Sequence, residues 1–272
     1  MVLICPVCAR TGTAEQPEQP LVDHNGGLGC ARGHHFDRAK QGYVNLIVGS
    51  NPHPGDTPAM VQARCRVHQA GVFEPVHTWL NAQSRGGIVD IGAGPGEYLG
   101  SATHADWRIA LDSSTAALRV CAKQSGVQAY GGDLMRPLPI ATAAADTVWS
   151  VFAPRPMREV VRILKPGGIA LMIIPRANHL GELREKLPAM LKVPTGKATR
   201  VITQASAQGL HLVTQGKIER TQVVLPETAT DLVGMGPTAF HMGVDDIEAG
   251  LGPHPIPVTI AMDVFTFEHG AR

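Results

Sequence analysis

Val89-Asp90-Ile91-Gly92-Ala93-Gly94-Pro95-Gly96-Glu97 is the stretch whose reading decides the fold. It opens on an apolar strand, Ile88 to Ile91, and the three glycines that follow let the backbone turn tightly at the strand's carboxyl end. A turn of this kind brings main-chain atoms close to a nucleotide-type ligand. The spacing departs from the dinucleotide fingerprint G-x-G-x-x-G, because the third glycine follows the second by two positions rather than three.

Outward from that turn, short apolar strands alternate with helices. Strands are expected at Ile109 to Leu111, Val127 to Tyr130, Thr147 to Phe152 and Ile169 to Ile174. Helices are expected at Ser114 to Gln124, Arg155 to Leu164 and Leu180 to Leu191. The alternation predicts an α/β fold, a parallel sheet covered by helices on both faces. Upstream, Asp56 or Thr57 caps a helix with Pro58 in its first turn, and a second helix runs from Pro75 to Gln83. Near the end, strands around Glu219 to Leu225 and Val258 to Phe267, with a helical patch at Thr228 to Val233 between them, form an antiparallel edge pair.

The glycine spacing favours S-adenosylmethionine, and acidic residues at strand ends support it. Asp112, just after the second strand, is placed to accept hydrogen bonds from ribose hydroxyls. Asp133, after the third, is placed to meet the adenine amino group, with Leu134 beside the ring. Asp90 either accepts from the methionine ammonium group or supports the turn. Each of these carboxylates also has an ordinary reading as a helix cap.

Ahead of this domain, Cys5, Cys8, Cys30 and His34 follow the order C-x2-C…C-x3-H, the pattern of a tetrahedral zinc site. His35 and His24 compete with His34 for the fourth place. Three thiolates and an imidazole leave no open position for water, so the zinc is structural. The first 50 residues are rich in Gly, Pro and Cys and poor in apolar periodicity, so a metal must supply part of their stability. Gly49 to Asp56 reads as a linker. The expected division is a zinc-binding module at 1–50, linker and helices at 51–86, and a Rossmann-like domain at 87–272.

The net charge of +1 conceals an asymmetry: residues 151–220 carry twelve basic and four acidic side chains, whereas residues 221–272 carry one and seven. A basic segment inside a balanced chain is the footprint of a nucleic-acid partner, although a solvated helix face would look similar. Arg155, Arg176, Arg184, Lys186, Lys192, Lys197 and Arg200 are the candidate phosphate contacts. Aromatic residues make up 4% of the chain, which argues for charge and shape recognition over a broad stacking surface. Apolar runs are too short for a membrane span, and the five cysteines form no disulfide framework. A cytoplasmic protein without membrane attachment is expected.

The glycine turn, the strand-end acids and Lys165-Pro166-Gly167-Gly168 before the fifth strand resemble class I S-adenosylmethionine-dependent methyltransferases over roughly residues 75–270. That resemblance implies a seven-stranded sheet of order 3-2-1-4-5-7-6. Further blocks match more narrowly: Gly33-His34-His35-Phe36-Asp37-Arg38-Ala39-Lys40-Gln41-Gly42-Tyr43-Val44-Asn45-Leu46, Pro54-Gly55-Asp56-Thr57, Met60 to Arg64, Phe152-Ala153-Pro154-Arg155 and Met235-Gly236-Pro237. These resemble the RlmA-type 23S rRNA guanine-N1 methyltransferases, including their tylosin-resistance branch. The resemblance implies methylation at nucleotide 748 or 745 of a 23S rRNA hairpin, with macrolide resistance as a consequence, a zinc module that recognises the RNA, and a homodimer. It places Cys5, Cys8, Cys30 and His34 at the zinc positions and Gly94 and Pro95 at the cofactor turn, which Gly92 and Gly96 flank. Phe73 stands where family members can carry tyrosine, and His179 matches a cofactor-pocket histidine.

Guanine N1 carries a proton that must leave during methylation, and no residue in the sequence identifies itself as the acceptor. Phe152-Ala153-Pro154-Arg155 lacks the Asn-Pro-Pro-Tyr or Asp-Pro-Pro-Tyr pattern of many amino methyltransferases, which argues against an exocyclic amine. Two other readings stay open: a small-molecule methyltransferase with an incidental zinc knuckle, and a zinc-dependent RNA-binding protein without catalysis.

Overall fold

The computed structural model describes residues 2–11, 18–49 and 55–270. The N-terminal module holds a short helix α1 (Pro6–Thr11) and a three-stranded antiparallel sheet, β1 (Val22–His24), β2 (Gly27–Gly29) and β3 (His35–Asp37). Then β4 (Val44–Asn45) leaves the module and pairs in parallel with the main sheet. The linker expected at 49–56, with Pro54 of the matching block, falls largely on residues outside those described.

Two helices follow, α2 (Pro58–Gln69) and α3 (Glu74–Gln83). Thr57 Oγ1 accepts from Met60 N, so Thr57 rather than Asp56 is the cap of α2. The sheet then builds from β5 (Ile88–Ile91), α4 (Glu97–Ser101), β6 (Arg108–Asp112), α5 (Thr115–Cys121), β7 (Val127–Gly131), β8 (Ala145–Val151), α6 (Met157–Ile163) and β9 (Leu164–Pro175). The chain closes with α7 (Gly181–Lys186), α8 (Lys197–Ala207), β10 (Leu210–Val224), α9 (Pro226–Gly234), a 3-10 turn at Pro237–Phe240, α10 (Val244–Leu251) and β11 (Ile256–His269).

The strand order is β10-β11-β9-β8-β5-β6-β7-β4. Seven of these reproduce the expected 3-2-1-4-5-7-6 order, and the eighth, β4, is contributed by the zinc module. All four residues of β5 are buried, which fits its apolar Ile88, Val89 and Ile91 and leaves Asp90 as a buried carboxyl. The β10–β11 pair is antiparallel, as expected, but β10 begins at Leu210, nine residues before the strand read from sequence. Most of its residues are exposed, which weakens the apolar signal. The helix expected over Leu180 to Leu191 stops at Lys186, ahead of Pro188, and α8 and α10 had no counterpart in the reading. Among the described residues no helix is long and apolar enough to cross a membrane.

The module does not fold around zinc alone. Leu3, Leu21, Leu28, Val44 and Leu46 are buried in one cluster with Val89, Ile91, Ile109 and Leu111 of the main sheet. Leu3 also bridges to Ile140, and Leu46 N donates to Gly131 O. Its apolar residues, too few for a core of their own, complete the core of the sheet. Val44→Ala should therefore lower the stability of the whole chain by about 2 kcal/mol, as expected for a large-to-small core change. Urea unfolding would show one displaced transition; an unshifted midpoint would mean the module packs independently.

Candidate functional site

At the end of β5 the chain needs left-handed backbone, and glycine supplies it: Gly92 and Gly96 both have φ 79°. A side chain could not replace either. A Cβ at Gly92 would lie 2.5 Å from Ala153 Cβ, and one at Gly96 would lie 2.6 Å from Cys121 Sγ. Asp112 braces the turn, its Oδ2 accepting from Gly94 N at 2.8 Å and its Oδ1 from Ser114 N at 2.7 Å. An ionised carboxylate retains further lone pairs for a ligand hydroxyl.

Over this turn lies a cavity of about 410 Å³, within the usual range for small-ligand sites. Asp90, Gly92 and Pro95 form its floor, and Phe73, Phe152 and His179 form an aromatic wall. Met235, Pro237 and Thr238 close one side, while Arg184, Lys192 and Lys197 stand along another. Asp112, Asp133, Leu134, Gly94 and Gly96 are outside the lining. Leu134 still reaches the turn, 3.5 Å from the position a Gly92 Cβ would take. Asp133 is engaged locally, accepting from Met135 N and pairing with Arg136 Nε at 2.9 Å.

Two buried polar atoms in the cavity wall have no partner, Asp90 Oδ1 and Arg64 Nε. Such atoms are costly to leave unpaired unless a ligand takes them. Together they fit a zwitterionic amino-acid group, with carboxylate to Arg64 and ammonium to Asp90, so the residues present suit the methionine end of S-adenosylmethionine. Arg64 escaped the sequence reading because nothing marks an arginine inside a helix as special. Its place comes from tertiary contacts: an ion pair to Asp56 at 2.6 Å and a hydrogen bond to Met235 O at 2.9 Å. Its neighbour Arg66 makes a two-pronged contact with Asp231, tying α2 to α9.

The two histidines of the cavity present opposite chemistry. His179 Nδ1 accepts from Ala261 N at 3.2 Å, so the neutral ring carries its proton on Nε2 and is a donor. Burial, with Arg184 nearby, pulls its pKa down to about 4. At His68 a chain of bonds sets the other tautomer. Ser101 Oγ donates to Tyr98 O and accepts from His77 Nδ1, and His77 Nε2 accepts in turn from His68 Nδ1. His68 Nε2 is left as an acceptor. Burial, with His77 and Arg64 adding to it, holds His68 down at about 3, so it is a weak base.

The candidate cations have different fates. Arg176 is consumed by Glu219 and Asp263, which offsets its charge. Arg155 is partly buried, with Nη1 on Ala153 O and Nε unpartnered. Burial lowers the pKa of Lys197, and Arg155 and Arg200 add to the effect, which places those three cations together. Lys186, Lys192 and Arg200 are exposed.

In the N-terminal module, Cys5, Cys8, Cys30 and His34 bring their ligand atoms within 4.8 Å of one another. His34 Nδ1 is 3.5 Å from Cys5 Sγ, 3.3 Å from Cys8 Sγ and 3.4 Å from Cys30 Sγ, and the Cys8 and Cys30 sulfurs are 4.0 Å apart. Ligands at zinc bond lengths span tetrahedral edges of about 3.4–3.8 Å, so the set fits zinc. His34 is thus the fourth member; His24 and His35 pack against each other instead. Without a cation, burial pushes the Cys5 thiol up to about 12, while at Cys30 burial is outweighed by the backbone N–H groups of His34 and Arg32, which bring it down to about 7.

Burial, and Asp112 beyond it, raises the Asp90 carboxyl to about 7. Arg64 and Tyr98 line the same cavity. Binding an ammonium group requires the ionised form, so affinity for S-adenosylmethionine should fall as pH drops through about 7 and level off above it. Asp90→Asn should bind weakly and lose that dependence in calorimetry; an unchanged pH profile would remove Asp90 from the ligand.

Residues 3–48 match the model of the RlmA N-terminal zinc ribbon, and residues 89–172 match a methyltransferase-domain model. A relative from Micromonospora griseorubida, provisionally named a 23S rRNA (guanine-N(1)-)-methyltransferase, is 34% identical over 96% of this chain and 95% of its own. The 23S rRNA (guanine(748)-N(1))-methyltransferase of Streptomyces fradiae is 31% identical over 96% of this chain and 95% of its own. Among solved structures, a chain from the Haloferax volcanii complex of the Trm112 methyltransferase activator with a provisionally named methyltransferase aligns with TM-score 0.50 and 18% identity, covering 79% of this chain and 98% of that one. That likeness shows the fold alone.

Proposed function

This chain belongs to the RlmA-type 23S rRNA (guanine-N1)-methyltransferases, and from that membership we propose that it methylates N1 of guanine 748, or of its neighbour 745, in a 23S rRNA hairpin. The observation that carries the reading is the pairing, in one chain, of a closed Cys3His cluster with an S-adenosylmethionine-type glycine turn under a cavity edged by Arg184, Lys192 and Lys197. S-adenosylmethionine supplies an electrophilic methyl group. The chain's residues would hold it and the RNA in line, so that N1 gains the methyl group as the S–CH3 bond breaks to leave the neutral thioether and the N1 proton leaves to an acceptor.

In this reading Asp90 takes the ammonium group, Arg64 the carboxylate and Asp112 the ribose hydroxyls. Gly92, Gly94, Pro95 and Gly96 supply the close backbone approach. Phe73 and His179 pack beside the methionine chain, and Asp133 and Leu134 flank the adenine. His179 acts as a donor; its tautomer excludes it as the proton acceptor. Zinc, held by Cys5, Cys8, Cys30 and His34, braces the N-terminal module as the surface that finds the hairpin, and Arg155, Arg184, Lys186, Lys192, Lys197 and Arg200 take phosphates. Arg176 serves instead to join β9 to β10 and β11 through its ion pairs. The target N1 is blocked in a base pair, so the guanine is bound unpaired. We place the reaction in the cytoplasm and the enzyme in a homodimer, which the exposed Val213 and Val223 on edge strand β10 support. Tylosin resistance follows if the methyl group obstructs drug binding.

Purified protein, labelled S-adenosylmethionine and 23S rRNA fragments should give N1 methylation, read as a primer-extension stop at one guanine. Labelling confined to small molecules, or RNA binding without transfer, would replace this reading with one of its two rivals. Arg64→Met should weaken S-adenosylmethionine binding by about tenfold to a hundredfold, the loss of a charge-assisted hydrogen bond, with RNA affinity retained. Lys192→Ala with Lys197→Ala should do the reverse and flatten the salt dependence of RNA binding by about two phosphate contacts. Swapped effects would reverse the assignments.

A further inference from the structure

Phe152 is one of four non-glycine residues among those described that are held at positive φ, with Asn25, Ala143 and Leu180, and it is the aromatic one. It follows β8 directly, with φ 55°, in the left-handed region that a bulky side chain adopts only at a cost of about 1–3 kcal/mol. Glycine or asparagine would make the same turn without that cost. Its neighbours Val151 and Ala153 are buried, yet Phe152 is 39% exposed and lines the cavity. Phe240 is the one other exposed phenylalanine among the described residues. The ring is also held in place: it stacks on His179 at a centroid distance of 5.7 Å and 28°, and meets Phe73 at 5.9 Å and 61°.

A strained backbone that holds an aromatic ring rigid and partly open to a ligand cavity is an investment in what the ring touches. We infer that Phe152 is the stacking platform for the target guanine. The inference rests on the RNA-methylation reading and names the surface that receives the base. Three observations favour a nucleobase as the occupant. Ala153 packs against Gly92, so a base on Phe152 lies next to the turn that holds the methyl donor. Arg184, Lys192 and Lys197 line the same cavity, with charge suited to the phosphates flanking a turned-out nucleotide. A single buttressed ring suits one extruded base rather than a run of stacked ones, in keeping with a chain that is only 4% aromatic. Phe73 is buried and meets the Phe152 ring at a steep angle, so it buttresses that ring.

The experiment compares wild type, Phe152→Ala, Phe152→Leu and Phe152→Trp on a 23S hairpin carrying either guanine or an abasic nucleotide at the methylated position. Stacking on an aromatic side chain contributes about 1–3 kcal/mol per base, so Phe152→Ala should lower kcat/KM for the RNA by about tenfold to a hundredfold. Phe152→Leu should fall between, and Phe152→Trp should recover most of the activity. Affinity for S-adenosylmethionine should stay within about twofold of wild type in calorimetry, which also reports that the variants are folded. The abasic hairpin should bind wild type and Phe152→Ala equally. Unchanged kcat/KM in Phe152→Ala, a loss accounted for by weaker cofactor binding, no recovery by Trp, or a persisting difference on the abasic hairpin would each overturn the platform. Wild type that methylates no guanine in any fragment would overturn the RNA reading itself, and the platform with it.

Discussion

The hydrogen bond from Gly94 N to Asp112 Oδ2 is the small constraint on which the rest of the site depends. It ties the turn after β5 to the end of β6, so two adjacent strand ends form one rigid rim. Asp90 is buried directly beneath, and Ala153, beyond β8, presses against Gly92. The cavity therefore inherits its shape from the sheet, the least deformable part of the molecule.

The upper wall follows a different logic. α2 is pinned to α9 by Arg66 and Asp231, while Arg64 spans Asp56, Met235 and the cavity. The segment after the zinc module, α2 and the loop after α9 thus share one guanidinium. Whatever occupies the cavity meets a side chain that also organises the route back to the zinc module. On the opposite side, β4 and the module's leucines enter the core of the main sheet. The module and the main sheet are thereby joined through packing as well as through the linker read at residues 49–56.

Legibility varied with how local the signal was. The strand Ile88–Ile91 was recovered to the residue, because its apolar residues lead directly into the glycine turn that ends it. The zinc set was legible from spacing, His34 being preferred over His24 and His35 because Cys30 to His34 makes a tight knuckle like Cys5 to Cys8, and the structure brings those four together. β10 was half missed, because an edge strand with exposed faces carries little apolar pattern, and α8 was missed behind Pro194 and Gly196. Arg176 looked like a free cation in sequence and is paired in space.

By itself the sequence determined the chemistry on offer: a closed metal set, a glycine turn of S-adenosylmethionine type, strand-end carboxylates and a basic segment. Those depend on residue type and short spacing, which a chain carries however it packs. Tertiary structure alone decided which groups face the cavity and in what state. It put Arg64 and Asp90 there with unpartnered atoms, set His179 as a donor through Ala261, and held Phe152 in a strained, half-open pose. The reason is that charge state, tautomer and exposure are properties of neighbours, and those neighbours come from strands and helices far apart in the chain.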